Sequence, residues 1–156
     1  MRPYRDVATL AGAQVVCFLI LTHLEPGLFL VHFYEAILYI AILVMLFYME
    51  DRWAYMIGIL ASVAWLSLAY VSGILGASIR ELSRLEIPVS NTNGVALAAL
   101  ATALIAVLMI ASCGRHWIKE YSGLGKTGST FFVSLGCVAV YYGVLGRFFW
   151  AMIPTP

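Results

Sequence analysis

Five apolar runs, separated by short polar stretches, dominate the pattern of hydrophobic and polar positions along the chain. The predicted spans lie near residues 5–24, 28–49, 53–76, 95–113 and 129–153. A hydrocarbon core about 30 Å thick needs roughly 20 apolar residues in a helix, and these runs are close to that length. The pattern therefore predicts an all-α integral membrane protein. One transmembrane domain over residues 1–156 would form a bundle of about five transmembrane helices with short loops.

The first run is the shortest, and it leaves a four-helix version open. Its continuous apolar part, residues 7–22, covers roughly 24 Å as a helix, so it crosses a bilayer only if the flanking residues are helical too. A basic head followed by an apolar run resembles a signal peptide, and we interpret this first run as an uncleaved membrane anchor. In the four-helix version this run is re-entrant or lies at the interface.

Polar breaks define where the runs end. Pro26 and Gly27 predict a turn, because proline lacks a backbone donor and glycine opens positive φ angles. The charges of residues 50–52 predict a tight helical hairpin at a membrane surface, since a continuous helix would place them at mid-membrane. In the third run, Gly58 and Ser62 are small residues four positions apart, which permits close approach of another helix.

The longest polar segment, residues 77–94, predicts a short amphipathic helix on the membrane surface, followed by a loop. Ile79, Leu82 and Leu85 recur every three residues with charges between them, as on a helix that lies in the interface. A docking surface for a partner protein is the alternative interpretation of this segment.

The lysines and arginines predict the orientation of a five-span chain. The more basic side holds Arg2, Arg5, Arg52, Arg115, Lys119 and Lys126, and the other side holds Arg80, Arg84 and Arg147. Because cytoplasmic loops carry the excess of basic residues, we expect a multi-pass protein with its N-terminus in the cytoplasm and its C-terminus on the opposite side. We read residues 114–128 as a basic loop, in which Arg115, Lys119 and Lys126 are candidates for contact with anionic lipid headgroups.

The amino-acid composition limits the classes of partner that this chain could bind. The 156 residues are 63% hydrophobic and 11% charged, with a net charge of +1. A soluble domain has about twice that share of charged residues, and the small net charge argues against a nucleic acid partner. We expect the lipid bilayer, other membrane subunits or copies of the same chain as partners.

Four side chains that can bind metals or protons fall within thirteen residues: His23, Glu25, His32 and Glu35. His32 and Glu35 are three positions apart and share a helix face, which Tyr39 continues. Ionisable residues inside a membrane span mark candidate functional sites. We therefore take these five residues as candidates for a ligand or proton site, and we expect Glu35 to pair with His32, Gln14 or a tyrosine. No particular cofactor or metal is indicated.

No catalytic motif is present. The sequence GLGKTG resembles a phosphate-binding loop but has Glu120 where the motif requires its first glycine. Whether the chain is an enzyme is therefore open, and we do not expect it to be catalytic by itself. The first functional expectation is a small subunit of a larger membrane complex, of the kind that transfers electrons or protons. The alternatives are a haem-, metal- or pigment-binding protein that uses His32 and Glu35, and a homo-oligomeric transporter or channel.

Overall fold

The computed structural model describes residues 5–48, 51–83, 91–121 and 127–149, and within these ranges 96% of the residues are helical and none forms a strand. The helices are α1 (Arg5–Leu24), α2 (Phe29–Phe47), α3 (Asp51–Val71), α4 (Ile74–Leu82), α5 (Asn91–Tyr121) and α6 (Thr127–Phe149). All except α4 are long and apolar enough to cross a membrane. The predicted all-helical class and the five long apolar helices are therefore confirmed for this part of the chain, and insertion into a bilayer stays a prediction.

The turn between α1 and α2 forms where proline and glycine predict it. A short 3-10 helix over Pro26–Leu28 joins the two helices, with Pro26 at its start. Proline is tolerated there because the first residues of a helix have no intrahelical acceptor for an N–H group. Glu25 immediately precedes this turn, so the chain reversal fixes its position at the end of the bundle.

The third long helix is shorter than the predicted span 53–76, and the next helix begins before residue 77. α3 ends at Val71 instead of residue 76, because Gly73 adopts the left-handed conformation with φ 73° and breaks the helix. α4 then begins at Ile74. Its buried position is Ser78, whereas Ile79, which we assigned to the apolar face, is largely exposed. Residues 84–90, which include the predicted loop, lie outside the described ranges.

α5 is longer than the predicted span 95–113 at both ends. Residues 114–121, predicted as loop, form its last two turns. At 1.5 Å per residue the 31-residue helix is about 46 Å long, which exceeds the thickness of a hydrocarbon core. Packing of His116 and Trp117, both buried, against other helices explains why the polar end stays helical.

The helices meet in alternating directions. One end of the bundle collects the starts of α1, α3 and α6 and the end of α5, as shown by the contact of Asp6 with His116 and by the hydrogen bond from Arg52 to Thr130. The other end collects the turn between α1 and α2 together with α4. α1 packs along both α2 and α5, and how many of the helices cross a membrane stays a prediction. Which end faces the cytoplasm stays a prediction.

The core lies where α1, α2, α3 and α5 converge. Its largest fully buried side chains include Phe18, Tyr39 and Tyr55. At Gly58 of α3 an added Cβ atom would lie 3.0 Å from the Cys113 sulfur of α5, so the absence of a side chain there lets the two helices approach. α6 packs mainly on α3 at the edge of the bundle.

Candidate functional site

The first candidate site is a cluster of Glu25, His32 and Glu35, which we call the turn cluster. His32 lies in the first turn of α2, and Glu35 follows one turn later on the same face. The Nε2 atom of His32 lies 3.2 Å from Glu25 Oε2, and its Nδ1 atom lies 3.3 Å from Glu35 Oε2. The contact between His32 and Glu35 that their spacing predicts is thus present, and the chain reversal adds Glu25 to it.

The geometry of the turn cluster requires a shared proton. A neutral imidazole carries one N–H group and can donate to only one of the two carboxylates, whereas an imidazolium donates to both. Both contacts are therefore hydrogen bonds only if His32 is protonated or if one carboxyl group keeps its own proton. In either case the three groups together carry one negative charge and hold one proton that can move among them.

Exposure falls along the turn cluster from the surface into the bundle. The side chain of Glu25 is 33% exposed, that of His32 is 11% exposed and that of Glu35 is 5% exposed. Glu25 also borders two spaces, an open hollow of about 400 Å³ beside Glu81 and a more enclosed cavity of about 200 Å³ beside Glu35. It therefore stands between the surface and the interior.

Aromatic packing fixes the inner part of the turn cluster. Phe18 of α1 stacks on the His32 ring with centroids 6.5 Å apart, and it contacts Tyr39 at 5.7 Å and Trp65 at 6.0 Å. Trp65 of α3 also lies beside Glu35. Three helices thus hold the imidazole and the buried carboxyl group in place.

Three other polar residues, His23, Tyr39 and Gln14, lie in different environments. His23 is exposed at the end of α1 and is not a member of the turn cluster. Tyr39 is fully buried one turn beyond Glu35, where its hydroxyl faces Ser62. Gln14 is also fully buried, but neither atom of its amide makes a hydrogen bond within the described part of the chain. Among these residues, Gln14 is therefore not the partner of Glu35 that we considered possible.

A second cluster, which the sequence analysis missed, lies at the opposite end of the bundle. In this far cluster, His116 Nε2 lies 3.0 Å from Asp6 and His116 Nδ1 lies 3.2 Å from Glu120. Asp6 also accepts a hydrogen bond from Ser112 and pairs with Arg115 at 3.0 Å. The spacing of four between His116 and Glu120 was a usable signal, but it has meaning only on a helix, and we read that segment as a loop.

Buried polar side chains lie between the two clusters without joining them. Tyr55 stacks on His116 with ring centroids 5.3 Å apart, and its hydroxyl is buried without a hydrogen bond among the described residues. Two helical turns separate Tyr55 from Ser62, and at Gly58 between them Cys113 and Met109 fill the space. The interior therefore contains polar groups at both ends and an apolar constriction in the middle.

The basic residues proposed to contact lipid fall in different settings. Arg115 and Lys119 are exposed on the last turns of α5, not on a loop, and Arg115 is engaged by Asp6. An open hollow between α1 and α5 is bordered by Arg5 and Arg115. Lys126 lies outside the described residues. Lipid contact by these residues stays a prediction.

The positions of the metal-ligating side chains determine whether the described residues could bind a metal or a pigment. Within the described ranges, no group of three or more His, Cys, Asp and Glu side chains is placed to hold a metal ion. Both ring nitrogens of His32 are engaged by carboxylates, so axial ligation of a haem or pigment would require one of these contacts to break. Comparisons with protein-family models, with curated proteins and with solved structures found no match to this chain.

Proposed function

We propose that this chain is a small multi-pass membrane protein that exchanges protons with one side of the membrane through the turn cluster, as a subunit of a larger membrane complex. The observation that carries the proton part is the descent in exposure from Glu25 through His32 to Glu35, three ionisable groups in direct contact. Buried ionisable residues in membrane proteins commonly form proton relays.

The turn cluster supplies the parts of a proton relay. Glu25 takes up a proton from the surface hollow, His32 receives it on Nε2 and releases a proton from Nδ1, and Glu35 accepts that proton. Histidine suits the middle position because its two nitrogens allow a proton to enter on one side and leave on the other. The apolar constriction at Gly58 ends the pathway within this chain, so onward transfer would need another subunit.

The subunit part of the proposal is supported by the limited size of the polar segments and by the absence of a catalytic motif in the sequence. The pigment-binding alternative needs a free nitrogen on His32. The pore alternative needs Glu35 on an outer face, whereas the side chain of Glu35 is 5% exposed and is buried in its own bundle. The geometry of the described residues therefore favours proton exchange over both alternatives.

The Glu35→Gln variant tests proton exchange. In nanodiscs, we expect infrared difference spectra of the unsubstituted protein to show a carboxylic acid carbonyl band that grows as the pH falls, and we expect Glu35→Gln to lose that band because an amide cannot be protonated there. The matched control is Glu81→Gln, which removes a carboxyl group beside the surface hollow but outside the turn cluster. The same spectrum in unsubstituted protein and in Glu35→Gln would rule out proton exchange at Glu35.

Membership of a complex is tested on the protein in its native membrane. After mild solubilisation and blue-native electrophoresis, we expect the chain to migrate with at least one different membrane protein in a fixed ratio, identified by mass spectrometry. Migration as a single homo-oligomer would contradict the subunit proposal and leave proton exchange unaffected. An absorption spectrum of the same band checks the pigment alternative.

A further inference from the structure

We propose that the enclosed cavity beside the turn cluster is a binding site for a small organic monocation, a primary amine attached to a compact apolar body. The cavity has a volume of about 200 Å³ and lies among the ends of α1 and α3 and the starts of α2, α4 and α5. This inference goes beyond proton exchange and does not depend on it.

The walls of the cavity select an apolar body. Leucine, isoleucine, valine and alanine side chains form most of the lining, among them Leu21, Leu68, Ile74 and Ala99. Ligand sites in proteins combine walls of this type with a few polar groups that fix the orientation of the ligand. A dry cavity of about 150 Å³ can hold benzene, so this cavity has room for a ring-sized body that carries one short polar arm.

The polar end of the cavity selects a cation. Glu25, His32 and Glu35 border it, and among the described residues that line the cavity there is no lysine or arginine. With its shared proton the turn cluster carries one negative charge, and no lysine or arginine in the described part of the lining pairs with it. An ammonium group can donate to two carboxylates at once, and the Trp65 ring on the same wall attracts cations placed over its face.

The short helix α4 forms one wall of the cavity. Gly73 adopts the left-handed conformation between α3 and α4, and Ile74, Ala77 and Ser78 of α4 lie in the cavity wall. Ser78 is the buried position of α4 although Ile79 next to it is exposed. A polar residue on the buried face is explained if this face covers a cavity with polar groups instead of an apolar core.

The experiment uses Trp65 as a reporter and benzylamine as the probe. With Trp53, Trp117 and Trp150 replaced by phenylalanine, fluorescence in nanodiscs reports on the cavity wall. We expect the fluorescence to change in a saturable way on addition of benzylamine. Benzyl alcohol, a neutral molecule of the same size, is expected to bind with an affinity at least about tenfold lower, because a hydrogen bond to a charged group is lost. Equal affinities for the two probes, or no saturable change with benzylamine, would overturn the proposal.

A cavity-filling variant provides the second arm. Ala99→Leu places a larger side chain in the lining and leaves the turn cluster intact, whereas Ala101→Leu makes the same change on the exposed face of α5. We expect Ala99→Leu to lose benzylamine binding and Ala101→Leu to keep it; unchanged binding in Ala99→Leu would contradict the site. If benzylamine binds but the infrared band of Glu35 is absent, only the proposal of proton exchange is contradicted. If the band is present but benzylamine does not bind, only the proposal of an amine site is contradicted.

Discussion

Replacement of His32 by alanine is expected to lower the free energy of unfolding by about 3–5 kcal/mol, the range measured when one partner of a buried ion pair is removed. His32 is the only side chain in the turn cluster that contacts both carboxylates. Without it Glu35, which is 5% exposed, would be left as a buried carboxylate or would have to hold a proton. Both outcomes are unfavourable relative to the intact cluster.

The measurement is reversible unfolding in mixed micelles, with His23→Ala as the control. His23 is exposed, so its replacement is expected to change the stability by no more than about 0.5 kcal/mol. Glu35→Gln combined with His32→Ala should recover part of the loss, because no charge then remains buried. If His32→Ala and His23→Ala were equally stable, the contacts of His32 with Glu25 and Glu35 would not stabilise the fold.

The parts of the fold that depend on local apolar length were predictable, whereas those that depend on tertiary contacts were not. Five long apolar runs gave five long apolar helices, and the Pro26–Gly27 turn follows from the chemistry of two residues. The extension of α5 to Tyr121 was hidden because residues 114–121 are polar. Their helix is stabilised by Tyr55, which stacks on His116, and by Asp6, more than 100 residues away in sequence.

The same distinction applies to the candidate site. His32 and Glu35 share a face by spacing alone, so their contact could be predicted. Glu25 joins them only because the turn before α2 reverses the chain. Asp6 and His116 are 110 residues apart, and no local pattern relates them. Gln14 was one of the partners considered for Glu35, but no local pattern shows that its amide makes no hydrogen bond among the described residues.

The two clusters have the same composition, a histidine between two carboxyl groups, but their surroundings differ in ways that matter for function. Arg115 lies beside Asp6 in the far cluster and compensates its charge. Within the described ranges, the lining of the cavity at the turn cluster contains no lysine or arginine. The turn cluster is therefore the one that can gain from binding a proton or a cation, whereas the far cluster is suited to holding α1 against the end of α5.

Replacement of Phe18 by alanine is expected to lower the free energy of unfolding by about 2–3 kcal/mol, less than the 3–5 kcal/mol typical of Phe→Ala in water-soluble cores. Phe18 is fully buried and contacts His32, Tyr39 and Trp65, so its removal leaves a cavity at the centre of the site. In a bilayer the unpacked helices remain in an apolar medium, so the transfer part of the loss is small and the cavity part remains.

The matched control for Phe18→Ala is Phe132→Ala on α6, where the side chain is 70% exposed. It removes the same atoms without opening a cavity, and we expect a change within about 0.5 kcal/mol. Phe18→Ala should also let the His32 ring move, so the infrared band of Glu35 should broaden or shift, whereas Phe132→Ala should leave it unchanged. Equal losses in the two variants would contradict the packing of α1 on α2 and α3, and an unaltered band in Phe18→Ala would show that the stacking contact does not position His32.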